Sequence, residues 1–123
     1  MKSTFSLLSV ILLLFFAPLF VLSQEIGAVR YLGHIIPPQG GSYIAGCWGW
    51  TDTSTGREYA ILGSYCGTSI VEITNAGSLV ERDYIPNVCS SWKEIQTHGN
   101  YAYVVSEGGG GVQIIDLSYL PDS

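Results

Sequence analysis

Basic residues are scarce in this chain of 123 residues, which carries five lysines and arginines against ten aspartates and glutamates. The formal net charge is −5 at pH 7, and the few basic residues form no cluster. Proteins that bind nucleic acids or anionic membrane surfaces concentrate basic residues on one face. The composition therefore argues against both of these partners.

Motifs for catalysis and for metal binding are also missing. The chain has two histidines, His34 and His98, and it contains neither a Gly-x-Ser-x-Gly nucleophile elbow nor a closely spaced Cys or His pair. The spacing Asp52-x-Ser54-x-Gly56 matches only the start of a calcium loop and predicts a hairpin turn. From the residues we predict no catalytic residue, no metal site and no cofactor.

An apolar segment opens the chain. Met1-Lys2 is followed by an apolar run over residues 5–22 that only two serines and Pro18 interrupt. This pattern predicts a signal peptide over residues 1–23 that is cleaved before Gln24, although a run of this length can also span a bilayer as an uncleaved anchor. Pro18 and the small residue at the cleavage site favour cleavage. We therefore expect an exported protein, extracellular or at the cell surface, with no membrane span after cleavage.

The remaining sequence repeats itself. Residues 59–62 (YAIL) return as residues 101–104 (YAYV), 42 positions later, and residues 71–74 (VEIT) return as residues 115–118 (IDLS), 44 positions later. Trp92 also follows Trp48 by 44 positions. A period of about 40–45 residues with several short strands per unit is typical of a β-propeller blade. Closed propellers need about 170 residues at this spacing, so we expect residues 24–123 to be the N-terminal part of a propeller or a piece that must assemble.

Short alternating runs of β-branched and aromatic residues predict an all-β fold after residue 23. One complete four-stranded blade is expected, followed by three strands of the next, at residues 45–51, 58–64, 68–74, 79–85, 92–97, 100–106 and 112–117. An earlier strand over residues 28–36 is predicted as the outer strand of a preceding unit. The four glycines at residues 108–111 predict a loop that is either mobile, the more common case, or closely approached by another group.

Several of these segments resemble a known family. They resemble the N-terminal part of choice-of-anchor B proteins at residues 48–52 (WGWTD), 56–60 (GREYA), 67–75 (GTSIVEITN), 92–95 (WKEI) and 101–107 (YAYVVSE). Residues 70–74 and 114–118 are also similar to repeats of the LVIVD type. The resemblance implies a secreted or surface-exposed bacterial β-propeller of several blades, often followed by an anchoring segment. It implies no catalytic residues, and it makes the remaining propeller blades an expected partner.

Three cysteines, Cys47, Cys66 and Cys89, lie in a chain that we expect to be exported, where disulfides can form. In the predicted blades all three cysteines lie close together at one end of the sheets. We predict one disulfide, with Cys66–Cys89 slightly favoured over Cys47–Cys66, and one thiol left over. Free buried cysteines are the main alternative, and a metal site is a further one that the spacing does not favour.

Aromatic and charged residues mark the candidate binding surface. Trp48, Trp92, Lys93, Glu94 and Glu107 are predicted to lie near that same end, beside the glycine loop. Aromatics beside a few polar groups suit a carbohydrate or protein ligand, and loops on a rigid scaffold often carry recognition. The alternative is that each tryptophan is a wedge that packs one blade on the next. The recurrence of tryptophan at the repeat spacing favours this alternative.

Two functions are compatible with these patterns. The first is a non-catalytic extracellular binding or adhesion module whose ligand is a protein or a carbohydrate, and the missing nucleophile–base pair favours it. The alternative is a propeller enzyme, such as a lyase, a hydrolase or a quinone-dependent dehydrogenase, whose site lies in further blades. An inward cluster of histidine, arginine and acidic residues in such blades would indicate the enzyme.

Overall fold

The fold is that of a computed structural model, which describes residues 29–74 and 77–122. The predicted signal peptide at residues 1–23 and its cleavage site lie outside the described residues. In the part of the chain that is described, no helix has the length and apolar character needed to cross a membrane.

Four antiparallel strands form the first sheet. They lie side by side in chain order as β1 (Ile44–Asp52), β2 (Arg57–Ser64), β3 (Gly67–Ile73) and β4 (Leu79–Pro86). Successive side chains of each strand point to opposite faces of the sheet, and β3 is buried on both faces along nearly its whole length. Gly56 closes the first hairpin with a φ of 73°, which glycine tolerates, and its amide donates to the Asp52 carbonyl at 2.7 Å.

Three antiparallel strands form the second sheet. They again lie in chain order as β5 (Lys93–His98), β6 (Tyr101–Ser106) and β7 (Val112–Asp116), and a 3-10 turn over Leu117–Tyr119 follows. Asp116 caps this turn by accepting a hydrogen bond from the amide of Ser118 at 2.9 Å. The prediction of an all-β fold is therefore confirmed for residues 29–74 and 77–122, in which this turn is the only helical element.

The hydrophobic core lies between the two sheets. Its buried side chains come from both of them: Tyr59, Ile61 and Ile70 from the first, and Ile95, Ala102 and Val104 from the second. Burying one large apolar side chain stabilises a fold by about 1.5–3 kcal/mol, so this hydrophobic core holds the two sheets together. The closest approach is between β1 and β5, where a Cβ built on Gly46 would lie 2.5 Å from the carbonyl oxygen of Lys93.

Strand pairing repeats between the sheets. Ala60 pairs with Val71 in the first sheet, and Ala102 pairs with Ile115 in the second. These residues are related by the 42 and 44 positions that the sequence repeat predicts. The β2–β3 and β6–β7 hairpins are therefore equivalent units.

The register corrects the predicted equivalence of Trp48 and Trp92. Trp48 lies in the middle of β1, whereas Trp92 precedes β5. Trp48 pairs with Ile61 and Gln96 pairs with Tyr103, so Gln96 is the counterpart of Trp48. The cause is the shorter second hairpin. Its β5–β6 turn is two residues shorter than the β1–β2 turn, and its strands lack the last two residue pairs of the first hairpin.

The strand predicted over residues 28–36 is not formed, since residues 29–36 have no regular secondary structure. Gly33 instead lies against the end of the first sheet, where a Cβ built on it would lie 3.1 Å from the Gly77 carbonyl oxygen. The amides of Gln39 and Gly40 then donate to the Glu81 carboxylate at 2.9 and 3.3 Å. The prediction is wrong because no backbone hydrogen bond of a ladder joins residues 29–36 to a strand in the described part of the chain.

Candidate functional site

Three connections meet at one end of the sheets, which we call the loop end. They are the β2–β3 turn at Tyr65 and Cys66, the β4–β5 connection at residues 87–92 and the β6–β7 loop at residues 107–111. Alternate connections fall at the same end because the strands are antiparallel. The loop end is where the sequence predicts the binding surface.

A disulfide joins Cys66 to Cys89 and ties the β2–β3 turn to the β4–β5 connection. It is the pair that the sequence slightly favours, and Cys47 is left as a free, exposed thiol. Beside the disulfide, the Asn87 amide donates to the Cys66 carbonyl at 2.9 Å. The β4–β5 connection is thus fixed by both a covalent bond and a hydrogen bond.

Lys93 does not belong to an exposed surface, which corrects the prediction for this residue. Lys93 is 2% exposed, and its Nζ donates to the Val88 carbonyl at 2.8 Å. Its stem occupies the space over Gly63, where an added Cβ would lie 3.0 Å from the Lys93 Cβ. No carboxylate forms an ion pair with it among the described residues, and burial lowers the pKa of Lys93. Its role is therefore to hold the β4–β5 connection against the sheets.

Two substitutions of Lys93 should separate the packing of its stem from the burial of its charge. We expect Lys93→Met to keep most of the stability, because methionine fills the same space without burying a charge. Lys93→Ala should lower the free energy of unfolding by about 2 kcal/mol more than Lys93→Met, as an emptied apolar site does. Urea denaturation of both variants measures the difference, and equal stabilities would show that the stem does not pack as described.

The glycine loop packs closely on the β4–β5 connection. A Cβ added to Gly108 would lie 3.0 Å from the Cys89 carbonyl oxygen, and one added to Gly110 would lie 2.9 Å from a methyl group of Val88. Gly109, with a φ of 90°, adopts a left-handed conformation that other residues rarely adopt. The structure therefore favours close approach over mobility as the reason for these glycines.

Trp92, Glu94 and Glu107 are the exposed members of the predicted set at the loop end. Trp92 is 66% exposed, so it is not a wedge between these two sheets. Its amide donates to the Ser90 hydroxyl at 3.1 Å, and its carbonyl accepts from the Glu107 amide at 3.3 Å. Glu94 is exposed on β5 and pairs with Val105 of β6. The strand pairing therefore brings three of the five predicted residues to one surface.

Trp48 makes its contacts elsewhere. Its Nε1 donates to Thr97 Oγ1 at 3.0 Å, and the Nε1 of Trp50 donates to the Gly99 carbonyl at 2.9 Å. Both indoles of β1 therefore contact the second sheet, which agrees with the wedge alternative for these two residues. Within the described residues no hydrogen bond or aromatic pair joins Trp48 to Trp92.

The sequence analysis missed a buried charged cluster on the first sheet. Glu72 is buried and accepts hydrogen bonds from Arg57 at 3.1 Å and from Arg82 Nε at 2.6 Å. Nearby, the buried Tyr59 hydroxyl has no hydrogen-bond partner among the described residues, and burial, followed by the Glu72 charge, raises the pKa of Tyr59. The signal for this cluster is a charge inside the apolar run at residues 70–73. Both carboxylate oxygens of Glu72 are paired, so this carboxylate offers no free acceptor to a ligand.

Metal chemistry and family membership do not identify a function for this chain. Residues 29–74 and 77–122 contain no group of three or more His, Cys, Asp or Glu placed to hold a metal ion. A comparison of the chain with protein-family models, with curated proteins and with solved structures found no match. Its function is therefore inferred from the residues of the loop end.

Proposed function

We propose that this chain is part of a secreted or cell-surface β-propeller, of the choice-of-anchor B type with LVIVD repeats, that binds an extracellular protein or carbohydrate without catalysis. The repeat of 42–44 positions and the equivalent hairpins of the two sheets support a propeller. The apolar segment within residues 1–23 supports export. Further blades would complete the ring.

The observation that carries the binding proposal is the exposure of Trp92 on a fixed backbone. Large amphipathic aromatic side chains dominate many recognition surfaces, because they bury much area at a low cost in conformational entropy. The disulfide, the buried Lys93 and the close glycine loop hold the surroundings of Trp92 in one arrangement. Such preorganisation lowers the free-energy cost of binding.

The charge of the loop end indicates the chemistry of the ligand. Glu94 and Glu107 are exposed, whereas Lys93 is buried and offers no charge to the surface. Carboxylates beside an indole accept hydrogen bonds from sugar hydroxyls, or they pair with the lysines and arginines of a protein. The proposed ligand is therefore a glycan or a basic protein segment, and not an anionic polymer.

Trp92→Ala tests this proposal. We expect about a thirtyfold loss of affinity, since truncation of a hot-spot residue costs about 2 kcal/mol or more. Stability should change by less than about 0.5 kcal/mol, because the indole is exposed and few contacts are lost. The measurement is binding of the full-length protein to a glycan array and to immobilised basic extracellular proteins.

Tyr31→Ala is the matched control for this experiment. Tyr31 is 81% exposed, and nearby Gly33 lies against Gly77, at the end of the first sheet opposite the loop end. This variant should bind as the wild-type protein does. Equal binding by Trp92→Ala and the wild type would refute the proposed surface.

A further inference from the structure

A cleft of about 230 Å³ opens at the end of the sheets opposite the loop end. The β1–β2 turn, which follows Asp52, lines one side, and Asn100 with the 3-10 turn at Leu117 and Ser118 lines the other. Trp50 of β1 also lines the cleft. None of these residues belongs to the surface proposed above, so the cleft is a separate candidate site.

Trp50 gives the cleft a fixed aromatic wall. Its Nε1 donates to the Gly99 carbonyl at 2.9 Å, and its ring packs against the buried Tyr59 ring with the two centroids 5.5 Å apart. These contacts hold the half-buried indole in one orientation, so a ligand would not need to order it. Leu120, which is partly buried, adds apolar surface to the same cleft, and the buried Leu117 lies beneath it.

Asp52 provides a hydrogen-bond acceptor of fixed orientation. Its carboxylate accepts from the Thr55 hydroxyl at 2.5 Å, and from the Ser54 amide and hydroxyl at 2.9 and 2.7 Å. These bonds, that from Thr55 first, lower the pKa of Asp52, so the carboxylate is ionised at neutral pH. They occupy three of its roughly four lone-pair sites, and the remaining capacity is available to a ligand hydroxyl.

Asn100 supplies both a donor and an acceptor beside this carboxylate. Its backbone carbonyl accepts from the Leu117 amide at 2.8 Å, which fixes the position of the residue. Its exposed side-chain amide makes no hydrogen bond within the described residues. The cleft thus combines an indole, a carboxylate and a free amide, each attached to a backbone that the fold holds in place.

We propose that this cleft binds one neutral pyranose ring of an extracellular glycan. A pyranose has an apolar face of C–H groups that fits an indole, and a rim of hydroxyls that fits a carboxylate and an amide. The volume lies below the roughly 300–1,000 Å³ of pockets for drug-sized ligands, so it suits a single ring. The lining residues include the anionic Asp52 and no lysine or arginine, which disfavours uronates and sulfated sugars.

NMR titration of the ¹⁵N-labelled full chain tests the proposal, with the methyl glycosides of glucose, galactose and mannose and with N-acetylglucosamine as probes. At least one of these neutral sugars should shift the Trp50 Nε1–H and the amides at residues 52–55 and 100. Asn100→Ala, which removes an exposed amide, should raise the Kd for that sugar about tenfold. The Kd is fitted to the shifts of these cleft resonances, so it reports binding at the cleft and not binding of the same sugar at the loop end.

Three results would overturn this proposal. The first is that no neutral sugar at millimolar concentration shifts these resonances, or that Asn100→Ala binds as well as the wild type. The second is that glucuronate binds as tightly as the neutral sugars. The third is that Trp92→Ala abolishes the binding, which would assign the sugar to the loop end and leave the proposed function standing without the cleft.

Discussion

Alanine at Gly46 is expected to lower the free energy of unfolding by about 3 kcal/mol, the upper part of the range for overpacked sites. The added Cβ would lie 2.5 Å from the Lys93 carbonyl oxygen, which is well inside van der Waals contact. A backbone carbonyl in β5 cannot rotate away as a side chain can. The two sheets must therefore move apart at this position, at the expense of the core between them.

Gly49→Ala is the matched control on the same strand. No atom lies within 4 Å of a Cβ built on Gly49, and its φ is outside the left-handed region. Removing this glycine should be neutral or slightly stabilising, because the unfolded chain loses conformational freedom. Urea denaturation followed by tryptophan fluorescence compares the two variants. Equal midpoints would show that β1 and β5 do not approach each other at Gly46.

Removal of the Cys66–Cys89 disulfide should produce the other large effect. The two cysteines are 23 residues apart in the chain, and closing a loop of that length stabilises a fold by about 3.4 kcal/mol in the chain-entropy model. For a domain of this size the double variant Cys66→Ala/Cys89→Ala should therefore melt about 14–27 °C below the wild type. Thermal unfolding followed by circular dichroism measures this shift.

Cys47→Ser controls for the loss of a thiol, because Cys47 is free and exposed. Its free energy of unfolding should stay within about 0.5 kcal/mol of the wild-type value. If the double variant melted at the same temperature as Cys47→Ser, the disulfide would not constrain the chain as described.

The strands could be predicted from the sequence because their signals are local. All seven strands predicted from residue 45 onwards are formed, and each end lies within one residue of its predicted position. Alternation and turn residues act over a few positions, which a short window contains. The segment at residues 28–36 has the same alternation, but a strand also needs a ladder of hydrogen bonds to a partner strand, and residues 29–36 form none in the described part of the chain.

The equivalence of Trp48 and Trp92 failed because a strand takes its register from its own hairpin. The longer β1–β2 hairpin, which has two more residues in its turn and two more residue pairs in its strands, shifts β1 relative to the rest of the repeat, and the counterpart of Trp48 becomes Gln96. The spacing of 44 positions between the two tryptophans matches the repeat of the β3 and β7 strands, but it does not describe the first strand of each sheet.

The burial of Lys93 could not be predicted from the sequence. Alternation correctly groups Lys93 with Ile95 on one face of β5, but it does not tell which face packs on a neighbouring sheet. Lysine is rarely buried, so its type alone indicates a solvent-exposed position. Gly46 and Gly63 make room for it, and this fact emerges only when the two sheets are brought together.

Hydrogen–deuterium exchange of the full-length protein tests most directly the central proposal, that the loop end is the recognition surface. The probe is the glycan or basic protein that the wild type retains most strongly in the binding screen, and exchange is compared with and without it. We predict slower exchange at residues 87–92 and 105–111 in the presence of the ligand. Slower exchange confined to residues 52–56 and 116–120, with the loop end unchanged, would contradict the proposal.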